Sequence, residues 1–67
     1  MTTSKALRMV SDCLENCVTA LEEARDLLAT CNGFEDVDLL AFRLEKLIDP
    51  TVLVSHYARR LYQRAEN

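Results

Sequence analysis

Leucine recurs every seven residues at Leu7, Leu14, Leu21 and Leu28, in a stretch that holds neither glycine nor proline. Val10, Cys17, Ala24 and Cys31 fall between them at alternating spacings of three and four. Together they form an a/d heptad seam of four repeats, which strongly constrains the fold. Ala6, Cys13, Ala20 and Leu27 recur beside the seam and widen the stripe to a bundle face. Arg8, Asp12, Glu15, Asn16, Glu22, Glu23, Arg25 and Asp26 occupy the opposite side. The pattern predicts a helix over residues 4–31, roughly 40 Å long. Thr2, Thr3 and Ser4 are all possible N-caps, and Ser11 offers a later start. Asn32-Gly33 supplies the left-handed residue that stops a helix, with Phe34 folding back on its last turn.

A second helix is expected over residues 36–48, capped by Glu35 or Asp36, with Val37, Leu40, Ala41, Leu44 and Ile48 along one face. Leu39 and Phe42 lie off that stripe; Phe42 either caps the long helix or touches a partner. Asp49-Pro50 reads as an N-cap followed by proline at the first helical position, which predicts a third helix over residues 50–65. Leu53, Val54, Tyr57, Ala58, Leu61, Tyr62 and Ala65 form its stripe. The fold class is therefore all-α: residues 1–67 as one helical domain, with one long helix and two shorter ones. Two short helices folded back together cover about half of the long one, so a small three-helix bundle completed by a partner is expected. The expected partner-binding residues are Leu7, Val10, Leu14, Leu21, Leu28, Leu39 and Phe42.

A chain of 67 residues buries a small fraction of its surface and commonly relies on disulfides, a metal or another chain. Three cysteines form no even framework. Cys13 and Cys17 share a face, but Cys31 lies too far along the helix to join them on a metal, and His56 has no ligand companion. The cysteines are read as core thiols, with no metal and no cofactor. A net charge of −3 makes nucleic acid a poor partner, even though Arg59, Arg60 and Arg64 cluster late in the chain. No spacing brings a nucleophile, base and acid together, so no catalytic residues are expected and the chain reads as a non-enzyme. Apolar runs too short to span a bilayer, and the lack of a secretion-signal pattern, point to a cytoplasmic chain without a membrane partner. A protein partner contributing helices to a hetero-oligomer is the remaining expectation.

The segments LLATCNGF, VDLLAFRL and IDPTVLVSHYARRL occur in this order. Their layout resembles the mitotic-spindle organising protein 1 (MOZART) family over roughly Leu21 to Gln63. Asn32-Gly33-Phe34, Ile48-Asp49-Pro50, Leu53 and Arg59-Arg60-Leu61 carry it. The chain departs from the family in having Leu47 where a glycine is usual, a shorter second helix and a longer first one. The resemblance implies a small subunit of gamma-tubulin complexes at the centrosome or spindle pole. Such a subunit binds N-terminal helices of gamma-tubulin complex proteins in microtubule nucleation and spindle organisation. LENCVTALEEARDLL is also similar to the start of a DASH-type kinetochore subunit. A homodimeric regulatory module pairing through the seam is the other alternative.

Overall fold

The computed structural model describes residues 2–31 and 33–66. It contains two helices, α1 (Thr3–Leu28) and α2 (Val37–Glu66), folded into an antiparallel hairpin. Glu15 pairs with Arg59 and Arg25 with Glu45, so the start of one helix lies level with the end of the other. The hairpin measures 51 × 16 × 13 Å.

Thr2 starts α1. Its backbone is extended and its hydroxyl accepts the Lys5 N–H at 3.1 Å. That satisfies one of the donors every helix leaves unpaired. The helix runs without a break through Ser11, which is buried rather than a second start. At the other end, Thr30 N–H reaches the Leu27 carbonyl (3.1 Å) and Cys31 N–H the Leu28 carbonyl (3.0 Å). These tighter bonds end α1 three residues before the expected Cys31. Asn32, half of the expected stop signal, lies outside the described residues, but Gly33 is left-handed with φ +83°. Nothing lies within 4 Å of a Cβ added there. Gly33→Ala should therefore cost only backbone strain, about 1 kcal/mol, read as a lower urea midpoint with unchanged slope. Asp36 is also left-handed at φ 65°, a region aspartate tolerates better than most residues. Its carbonyl accepts the Leu40 N–H at 3.2 Å and opens α2.

The expected break at Asp49-Pro50 does not occur: Pro50 lies inside α2. Proline removes one N–H donor, and its ring crowds the preceding turn. Here the ring side faces solvent, and the Thr51 hydroxyl donates to the Leu47 carbonyl at 2.6 Å. Leu44 and Ile48 before the proline, and Thr51, Ser55 and Ala58 after it, share one face against α1. Burial of that continuous face outweighs the local stop signal. Because α2 is 30 residues long, it covers α1 from end to end, not half of it.

The seam itself differs from the expected one. Leu7, Leu14, Leu21 and Leu28 do face α2, but they alternate with Ser4, Ser11, Val18 and Arg25. Val10, Cys17 and Cys31 are exposed, and Ala24 is half-buried. Leucines every seven residues can share a seam with the row three residues on or the row four residues on. Two observations favour the second row. Ser11, Ser55 and Ala58 are small and buried, which lets the backbones approach. Glu15 and Arg25 lie on that side and reach Arg59 and Glu45. Such exposed pairs contribute little alone, and they lie on the same side as the small buried residues. The core is thin: Ile48 and Ala58, each 6% exposed, are its buried apolar residues.

Candidate interaction face

The two interhelix ion pairs mark one side of the hairpin as polar. Glu15 of α1 accepts a hydrogen bond from Arg59 of α2, and Arg25 lies 3.6 Å from Glu45. By helical step, Asp12, Glu22 and Asp26 of α1 lie on this side, as do Asp38, Asp49, His56 and Gln63 of α2.

On the other side the composition changes. Stepping back one residue from the α1 seam gives Val10, Cys17 and Ala24, then Ala6, Cys13, Ala20 and Leu27. The same step from the α2 seam gives Leu40, Leu47, Val54 and Leu61, then Arg43, Pro50, Tyr57 and Arg64. Both steps lead away from the ion pairs, so these rows share one face. It is largely apolar, with Arg43 and Arg64 as its charged residues. Leu27, Leu47, Val54 and Tyr57 are 67%, 55%, 53% and 63% exposed. On α1 the residues are mostly small; on α2 they are bulky. Lys46 and Arg60 line the outer edge of the α2 stripe, with Leu53 between them and Leu39 before them.

Surface area gives the same picture. The chain exposes 5345 Å², whereas a compact monomer of 7.6 kDa exposes roughly 4,300 Å². Its radius of gyration, 15.5 Å, exceeds the roughly 11 Å of a compact domain this long. The surplus of about 1,000 Å² matches one partner's share of a standard protein interface, about 800 Å².

The expected partner-binding residues separate into three groups. Leu7, Leu14, Leu21 and Leu28 are half-buried in the seam between α1 and α2. Val10 lies on the open apolar face and Leu39 at its outer edge. Phe42 does not cap α1: it is exposed on the outer side of α2, with the Lys46 Nζ 4.5 Å from its ring centroid. Leu40, Leu47, Val54 and Leu61 form one row that the sequence divides between two expected helices. Their seven-residue recurrence is the signal in the sequence, and a helix start at Pro50 would cut it in two. The cysteines are likewise not core residues of the single chain; all three are free and exposed.

Little here resembles reactive chemistry. Among the described residues, no group of three His, Cys, Asp or Glu side chains is placed to hold a metal. The Tyr62 phenol is held above its ordinary pKa, chiefly by its hydrogen bond with Glu66 and then by desolvation, which makes it a poorer source of phenolate. No described helix is long and apolar enough to cross a membrane. Comparison of the chain with known protein families, with characterised proteins and with solved structures finds no match.

Proposed function

We propose that this chain is a non-catalytic helical interaction subunit whose task is to present one apolar face to helices of another chain. The observation that carries this reading is the sidedness of the hairpin. The interhelix ion pairs lie on one face, while the other exposes a largely apolar surface. Each large aliphatic side chain left open there forgoes roughly 1.5–3 kcal/mol, so covering the face is strongly favoured.

Cys13 and Cys17 lie on that face and report its covering. In the assembled protein both thiols should alkylate at least tenfold more slowly than in the Leu47→Glu, Val54→Glu double variant, which retains the hairpin but charges the face. Equal rates in the two proteins would mean that the face stays open and that the reading is wrong.

The resemblance to the MOZART family adds a setting for such a subunit: the N-terminal helices of gamma-tubulin complex proteins, at the centrosome or spindle pole. The left-handed Gly33 after the first helix supports it. The uninterrupted α2 weakens it, because the helix start at Pro50 carried much of the likeness. A kinetochore complex of DASH type would use the same face. Adding recombinant N-terminal helices of gamma-tubulin complex proteins should protect Cys13 and Cys17 if that setting holds.

A further inference from the structure

We infer that the occupant of the open face is a second copy of this chain, with α1 of each copy lying over α2 of the other in an antiparallel four-helix bundle. This rests on the reading of that face as a docking surface and names what docks.

Four observations lead to it. The first is angular. In both helices the open rows are the seam rows displaced by one residue, a rotation of about 100°. Each helix of a four-helix bundle faces its two neighbours at about a right angle, whereas in a three-helix bundle that angle is about 60°. The face therefore asks for two helices, and a second hairpin supplies two. The second is shape. The α1 rows are small at Ala6, Cys13, Cys17, Ala20 and Ala24, and the α2 rows are bulky at Leu40, Leu47, Val54, Tyr57 and Leu61. A two-fold axis parallel to the helices brings α1 of one copy over α2 of the other and preserves the level of every residue. Ala24 then meets Leu47 of the second copy, and Cys13 meets Tyr57 of the second copy, so small faces large at both levels.

The third observation is charge. The same axis sets Glu23 level with Lys46 of the second copy, opposite signs at the outer edge of the shared face. It also makes every neighbouring pair of helices antiparallel, which suits their dipoles. The other two-fold arrangement, with an axis across the helices, also leaves neighbouring helices antiparallel but fails on shape and charge. It stacks α1 on α1, leaving voids between small side chains, and sets the bulky, basic α2 rows against each other. The fourth is area: the surplus of about 1,000 Å² per chain is what a stable dimer buries.

The test has two parts. Light scattering of the wild-type protein should give a mass twice the 7.6 kDa of one chain, at micromolar concentration and in reducing buffer. A variant carrying Cys17→Ser, Cys31→Ser and Tyr57→Cys, which keeps the native Cys13, should then form a disulfide between chains on mild oxidation. The Cys13 and Tyr57 rows diverge within one hairpin, beyond the roughly 7 Å Cα separation that a disulfide spans. A dimer band on a non-reducing gel is therefore expected, together with its absence from the same protein retaining Tyr57. Cross-linking through Cys13 alone, or a mass other than that of two chains, overturns the proposed dimer. A monomer that binds an apolar fluorescent dye, and loses that binding in the Leu47→Glu, Val54→Glu variant, overturns the second copy but leaves the docking face standing. A monomer that binds no dye overturns both.

Discussion

Ile48→Asp is expected to abolish the helical hairpin, with loss of most of the helical circular-dichroism signal at 25 °C. Ile48 is 6% exposed, one of two buried apolar residues among those described. Removing its side chain forfeits about 1.5–3 kcal/mol of burial. The carboxylate adds several kcal/mol more, because it is stripped of water. The guanidinium nearest that level of α1, Arg25, is already engaged with Asp26 and Glu45. A chain of this length has about 3–10 kcal/mol of stability in total, so the sum is enough to unfold it. Leu53→Asp, on the same helix but 69% exposed, should leave the helical signal in place. If both variants remain equally helical, the seam between α1 and α2 is not what holds the chain together.

Pro50→Ala should stabilise the protein. Proline in a helix interior is about 3 kcal/mol less favourable than alanine. Here the substitution returns a donor to the Lys46 carbonyl and relieves crowding against the preceding turn. Greater freedom of the unfolded chain takes back about 0.4–1 kcal/mol. The net gain is expected at about 2 kcal/mol, a rise in melting temperature of roughly 8–16 °C for a domain of this size. The result separates two architectures. Were Asp49 an N-cap and Pro50 the first residue of a third helix, Pro50→Ala would be nearly neutral and Asp49→Ala would cost about 1 kcal/mol. Inside a continuous helix, Asp49→Ala should be neutral or slightly stabilising. Thermal melts of the two single variants therefore show whether the chain has two helices or three.

These two positions also show how much of the fold was legible in advance. The all-helical class and the long first helix followed from leucines at intervals of seven and from an interior free of glycine and proline. The left-handed Gly33 followed from its place after the last periodic residue. Pro50 misled because Asp-Pro is a strong local signal, whereas the seam that overrides it, from Val37 through Ile48 to Tyr62, is visible only once α1 lies against it. The same limit applied to the face. Leu7, Leu14, Leu21 and Leu28 belong to either of two overlapping stripes, and their spacing does not say which side a neighbouring helix will take. That choice is made by the small residues Ser11, Ser55 and Ala58 and by the Glu15–Arg59 and Arg25–Glu45 pairs, which bring together residues far apart in the chain. Once that side was taken, the other became the open face. Val10 and Leu39 therefore lie on it or at its edge, while the four leucines mainly hold the hairpin itself.

The claim that the apolar face exists to be covered by another chain is tested most directly by sedimentation of two double variants beside the wild type. Leu47→Glu with Val54→Glu charges the apolar face; Glu15→Ala with Arg59→Ala removes an ion pair from the polar one. The first should remain fully helical and sediment as a single 7.6 kDa chain at concentrations where the wild type and the second are associated. If the glutamate variant associates as the wild type does, or the ion-pair variant alone falls apart, association runs through the charged side. The apolar face would then have no part in joining chains.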